Sequence, residues 1–330
     1  MRRDPPRREL PALRTSLMRR SCDGRRMGAP SHLVTRRAAT DSHAPGGTIV
    51  GPATRLLLML NRMSKRPTFP ERATPAAYAQ WEYDEAPYQM KLMEAAGVTL
   101  AGQRVLDVGC GLGGKSVAFA ERGMPVVGVD LSLENVRAGA GLAKGRSVHR
   151  ADFVAADAVR LPVRSGSFDL VITTDTFEHL PQPDRSLGEM RRVLRRGGLL
   201  VAVFGPFGSP LGSHLYDRIF VPWCHVLFSR DTLAETLREL ARRRASCLDP
   251  AGADGEMQRA EEQIAYFDHH LNRMTLRRFR QLLRDQPGMV VRRWMKWTPP
   301  KLRPLTPLLR VPGLDELLTG LLVAVAERID

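Results

Sequence analysis

The segment Val105-Leu-Asp-Val-Gly-Cys-Gly-Leu-Gly-Gly114 sets Gly109, Gly111 and Gly114 at GxGxxG spacing directly after an apolar run. Glycine permits a tight turn and lets backbone N–H groups come close to a bound ligand. Taken alone, this pattern suits a dinucleotide site equally well. Three further features separate the readings. Asp107 stands inside the strand, two residues before the glycines; a pyrophosphate gains nothing from a carboxylate there, whereas an aminoacyl ammonium group does. Val126-Val-Gly-Val-Asp-Leu-Ser132 puts Asp130 at a strand tip, where a carboxylate can accept from both hydroxyls of a ribose. Ala155–Pro162 carries Asp157 after a third strand, and Phe168–Leu180 ends a fourth with Thr174, Glu178 and His179.

These residues need strands to hold them, and the chain supplies a regular alternation. Residues 76–95 carry aromatics and helix formers and stop at Gly97. Strands are expected at 104–108, 126–129, 148–154, 168–173 and 199–204, with helices at 115–122, 133–143 and 186–194. That beat implies βαβ units and a parallel sheet. After Phe204 it breaks. Residues 205–272 hold a Gly/Pro loop, an aromatic stretch and helices at 231–244 and 255–271. Thr275 is placed to cap one more helix, and strands at 289–297 and 320–328 close the chain. The fold class expected is α/β: a doubly wound, mostly parallel, seven-stranded Rossmann-like sheet with an antiparallel last strand and a helical insertion after strand five. The expected division is a disordered basic tail (1–66), a core (67–204), an insertion (205–272) and the C-terminal part of the core (273–330).

The formal net charge is +15, but 15 of the 50 Lys and Arg and only 4 of the 35 Asp and Glu lie in residues 1–66, leaving +4 for the remainder. A balance of +4 on so large a domain gives no strong field for polyanions, so nucleic acid is disfavoured as a partner. The Arg-rich tail keeps other readings open: a transit peptide, a nucleic-acid arm, a solvated extension, or an over-extended start with initiation at Met63. Cys22, Cys110, Cys224 and Cys247 are scattered without a CxxC pair or metal-type spacing. A reducing cytoplasm fits them best. No apolar run reaches the length of a membrane-spanning helix. Oligomeric state is not readable.

Together the four motifs, in order across residues 103–204, resemble the class I S-adenosylmethionine (SAM)-dependent methyltransferases, in their small-molecule branch. The resemblance implies SAM as cofactor and a small-molecule acceptor methylated at O, N or C. It implies that Asp107 and Gly109 hold the methionine part and that Gly111 shapes the turn beside the adenosine. It further implies that Asp130 binds the ribose hydroxyls, with Leu131 against the adenine. Asp157 and the Ala158 N–H would meet the adenine edge, and Thr174 would lie near the sulfonium. Arg196-Gly-Gly198 stands where such proteins usually have Pro-Gly-Gly. The fourth strand lacks the Asn/Asp-Pro-Pro-Tyr signature, which disfavours DNA and amide nitrogens as acceptors.

Each assignment has a structural rival. Asp107 can cap the following loop, and Asp130 and Asp157 can form Asx turns. Glu178 and His179 read as packing and capping or as a catalytic pair, with no metal expected. His179, His214 and His225 are the candidate bases. The insertion's aromatic residues, among them His214, Tyr216, Tyr266 and Phe267, can roof an acceptor or form the insertion's own core. Two other functions remain: an NAD(P)-dependent oxidoreductase sharing the glycine pattern, and a non-catalytic nucleic-acid-binding protein with the same fold.

Overall fold

Short apolar runs bounded by glycine or polar turns form seven strands of one sheet: β1 (Val105–Val108), β2 (Val126–Asp130), β3 (Ala151–Ala155), β4 (Phe168–Thr174), β5 (Leu194–Phe204), β6 (Met289–Trp297) and β7 (Leu321–Arg328). Their order is β3-β2-β1-β4-β5-β7-β6. The first five run parallel, and β7 is antiparallel to both β5 and β6. This is the doubly wound sheet expected. The order reverses between β1 and β4, and a crevice must open beyond their C-terminal ends. The computed structural model describes residues 50–65 and 74–330.

One expected boundary is corrected. Residues 1–66 were expected to be a disordered tail, but Pro52–Met63 forms a helix, α1. Leu57 is fully buried, and Asn61 donates to the Arg218 carbonyl at 2.9 Å. The helix forms because its apolar stripe meets a partner far along the chain, a contact that local composition cannot reveal. Residues 1–49 lie outside those described. The second helix, α2 (Pro75–Ala95), is capped by Thr74, whose hydroxyl accepts the Ala77 N–H at 3.1 Å. Then come α3 (Gly114–Glu121), α4 (Leu133–Gly145) and α5 (Pro183–Val193). The insertion contributes α6 (Cys224–Leu227), α7 (Arg230–Ala245) and α8 (Pro250–His269). Thr275 caps α9 (Leu276–Asp285) by accepting the Arg278 N–H at 3.0 Å, and α10 (Leu314–Leu318) precedes β7.

Each sheet face is covered, as a parallel sheet requires. One core joins Leu106, Val108 and Val171 to Leu187, Met190 and Phe279. The other joins Val105, Leu170 and Val201 to Met93, Ala118 and Phe119. The insertion has a core of its own, in which Leu57 of α1 meets Leu237, Ile264 and Phe267. Phe267 therefore packs inside the insertion rather than roofing a pocket.

Two glycines are demanded by close approach. A Cβ on Gly114 would stand 2.1 Å from the Ala79 carbonyl oxygen, so α3 can lie against α2 only with glycine there. Gly109 has φ +75°, and its Cβ would meet the Thr176 hydroxyl. A side chain at Gly114 would have to displace the backbone of α2, and one at Gly109 would collide with the Thr176 side chain and strain a left-handed φ.

Candidate functional site

A cavity of about 550 Å³ opens at the switch point and lies within the range of ligand sites. Its wall brings together Asp107, Gly109, Gly111, Asp130, Thr174 and His179 of the expected residues. β1 delivers Asp107 and the glycine turn, β2 delivers Asp130, and β4 delivers Thr174. The remaining expected residues lie elsewhere. Leu131 is 78% exposed. Exposed Asp157 accepts the Val159 N–H at 3.1 Å, which is its Asx-turn rival, and Ala158 packs against the first core. His214 lines a neighbouring cavity of about 600 Å³ with Tyr216 and Tyr266. His225 approaches the Phe207 carbonyl through Nε2, with its ring edge-on to Phe207 at 4.8 Å.

Carboxylates dominate the first cavity. Asp107 is buried and accepts the Ser116 hydroxyl at 2.6 Å. Burial pushes its carboxyl up, while the Ser116 hydrogen bond and nearby Lys115 oppose the rise. Asp130 accepts from the Gly111 N–H at 3.0 Å, the Ser132 N–H at 2.9 Å and Asn135 Nδ2 at 3.1 Å. These bonds fix the carboxylate and close the glycine turn, and its oxygens keep lone pairs for a further donor.

Glu82, Lys115 and Asp175 are among the lining residues that were not anticipated. Glu82 comes from α2, is 5% exposed, and accepts the Gly114 N–H at 3.4 Å. Burial raises its carboxyl to about 7, against the pull of Lys115 and that hydrogen bond, and with the help of Asp107 and Asp130. Lys115, the residue after the glycine motif, is buried with Nζ 3.8 Å from Asp175 Oδ2. Asp175 itself sits at φ +51°, a conformation that non-glycine residues adopt sparingly and that concentrates at functional sites. Position after the GxGxxG run was the one signal for Lys115. Glu82 had only its membership of the aromatic helix, from which Tyr78 also reaches the cavity. Tyr83, by contrast, stacks under the Arg146 guanidinium at 3.8 Å and anchors α2.

The exit of β4 is held rigidly. Phe177 packs edge-on to Phe279 at 4.7 Å. Asn272 donates through its backbone N–H to the Glu178 carbonyl at 2.8 Å and through Nδ2 to the Leu180 carbonyl at 2.8 Å. The 3₁₀ turn Phe177–His179 is thereby pinned between core and insertion. His179 Nδ1 lies 3.0 Å from the His270 carbonyl oxygen, and its ring stands edge-on to His214 at 5.1 Å. Tyr266 Oη approaches the same imidazole at 3.3 Å. Burial lowers His179, and burial together with His179 and His225 lowers His214 to about 4, so both imidazoles are neutral at pH 7. Burial, reinforced by Asp175, holds the Glu178 carboxyl well above its ordinary range.

Residues 106–202 match the sequence model of the family described as methyltransferase domain. The chain is 40% identical over 147 residues to an uncharacterized methyltransferase from Mycobacterium sp. (strain JLS), covering 44% of this chain and 56% of that one. It is 38% identical over 130 residues to a demethylmenaquinone methyltransferase from Renibacterium salmoninarum, covering 38% and 52%. The solved structure of the YcgJ protein from Bacillus subtilis aligns over 75% of this chain and 99% of that one, at 16% identity and a TM-score of 0.45. The chain spans about half the length of the curated relatives it matches.

Proposed function

We propose that this chain is a SAM-dependent methyltransferase acting on a small-molecule acceptor. The observation that carries the proposal is the composition of the switch-point cavity: Glu82, Asp107, Asp130 and Asp175 surround a glycine turn, with Lys115 the only lysine or arginine among the described lining residues. An anionic, glycine-lined cavity suits a sulfonium nucleoside with an ammonium group. It would repel the pyrophosphate of a dinucleotide.

SAM would supply a methyl group already activated on a sulfonium. Asp107 and Gly109 would hold its methionine part, and Asp130 its ribose hydroxyls, with Gly111 setting the turn between them. Thr174 would lie beside the methionine chain. Leu131, Asp157 and the Ala158 N–H are assigned to the adenine side. The protein's remaining task is to align the acceptor and exclude water, worth up to about 7–11 kcal/mol in favourable systems. We assign the acceptor to the space between the two cavities, where His179, His214 and Tyr266 meet, under the insertion 205–272. His179 is the group that faces it. His225, engaged with Phe207, is assigned to packing. The domain division is kept as 67–204 and 273–330 for the core, with α1 added to the insertion. Free Cys110, Cys224 and Cys247 fit a reducing cytoplasm.

Isothermal titration with SAM and with NADH tests the reading. One equivalent of SAM should bind and NADH should not; NADH binding without SAM binding would overturn it.

A further inference from the structure

We propose that Glu178, His179 and His214 form a binding site for a divalent transition-metal cation, of the zinc or iron(II) class, at the acceptor end of the crevice. One ligand atom from each of the three lies within 4.8 Å of the others. Small side-chain rotations bring such atoms to the separations that bonds of about 2 Å require.

A second observation is independent of that proximity. Glu178 is 5% exposed, and its Oε2 makes no hydrogen bond to any described residue. A carboxylate used for capping or packing would be satisfied there, because leaving a buried acceptor unpaired costs about 1–3 kcal/mol. Lys115, whose Nζ lies 3.8 Å from Asp175 Oδ2, makes no hydrogen bond to Glu178 Oε2 either.

The orientation of His179 points the same way. A carbonyl oxygen can only accept, so Nδ1 donates to the His270 carbonyl and Nε2 carries the ring's lone pair, with the Tyr266 hydroxyl 3.4 Å from it. A backbone carbonyl behind one ring nitrogen is how ligating imidazoles are oriented. His214 is held at φ +55° opposite that ring, in a left-handed conformation that histidine adopts at some cost. The turn carrying Glu178 and His179 is pinned by Phe279 and Asn272, so two of the three ligands sit on rigid backbone.

Two imidazoles and one carboxylate leave coordination positions open, as in catalytic rather than structural sites. This site rests on its own geometry. Its use in the reaction rests on the methyltransferase reading: the open positions would select an acceptor with adjacent oxygen donors, such as a vicinal diol or a hydroxy acid.

The test uses the full chain, stripped with chelator and titrated with Co²⁺ and Zn²⁺ in the absence of SAM. One equivalent should bind, and Co²⁺ should give a visible ligand-field band. Glu178→Gln and His214→Asn should each weaken binding by about tenfold or more, and His149→Ala, at an exposed surface position, should leave it unchanged. No saturable binding, or equal binding by parent and both variants, would overturn the site. Circular dichroism and a separate SAM titration of each sample verify folding. Failure of SAM to bind where Co²⁺ binds refutes the cofactor reading alone, and the reverse refutes the metal site alone.

Discussion

Glu82 offers the sharpest test of the cavity's electrostatics. Its carboxyl is held near 7 by burial, so it passes from neutral to charged across the physiological range. A cationic ligand favours the charged form. Where binding must be accompanied by ionisation, each pH unit below about 7 costs about 1.4 kcal/mol, or tenfold in affinity. Between pH 8 and pH 6 the SAM dissociation constant of the parent should rise by about tenfold relative to Glu82→Gln. The ligand's own amino group titrates near ~7.7–8.0. It does so equally against both proteins, so their difference isolates Glu82. Calorimetric titration at pH 6, 7 and 8 gives the readout. The same group has a stability consequence of opposite sign. Its folded-state value lies above the ordinary 4.5, so the folded chain holds the extra proton between these values. That contribution is full below about 4.5 and is lost as pH rises through 7, amounting to ~3 kcal/mol. Melting temperature should therefore fall across this interval in the parent more than in Glu82→Gln. If affinity and melting temperature vary identically with pH in the two proteins, Glu82 is not the buried carboxyl described.

Asp130→Ala removes the acceptor for Gly111, Ser132 and Asn135 as well as the proposed ribose contact; SAM affinity should drop by about 1–3 kcal/mol, or 5- to 150-fold, by titration calorimetry, and unchanged affinity would remove Asp130 from the site. Leu57→Ala should cost about 2–5 kcal/mol in denaturant unfolding, because its side chain fills the insertion's core; a loss under 0.5 kcal/mol would return α1 to the status of a loose tail.

Alternating apolar runs and glycine stops made the sheet legible, because parallel strands buried on both faces carry the pattern locally. Motif residues at strand tips were legible for the same reason: position at the end of a strand places Asp107, Asp130 and Thr174 around one crevice. What escaped depends on contacts between distant segments. Glu82 reaches the cavity only because α2 lies against α3 at Gly114, an approach visible in no single stretch of sequence. Composition hid α1, whose apolar stripe is embedded among Arg, Pro and Gly residues and finds its partners in the insertion. The insertion's aromatics divided between the two roles foreseen for them: Tyr216 and Tyr266 line a cavity, while Phe267 belongs to the core. The second cavity also holds Arg218, Arg244, Arg259 and Glu256, charged residues that the reading of the insertion from its aromatics did not include.

The pairing of α1 with the insertion sets an order of events during synthesis. Asn61 leaves the ribosome before its partner Arg218, which follows 157 residues later. At 5–20 residues per second, that interval is about 8–30 s. Throughout it the leucines of α1 have no groove to enter, while the intervening Rossmann-like strands can already collapse. The nascent chain must therefore shield a sticky amphipathic segment, by chaperone capture or transient self-contact, until the insertion emerges to receive it.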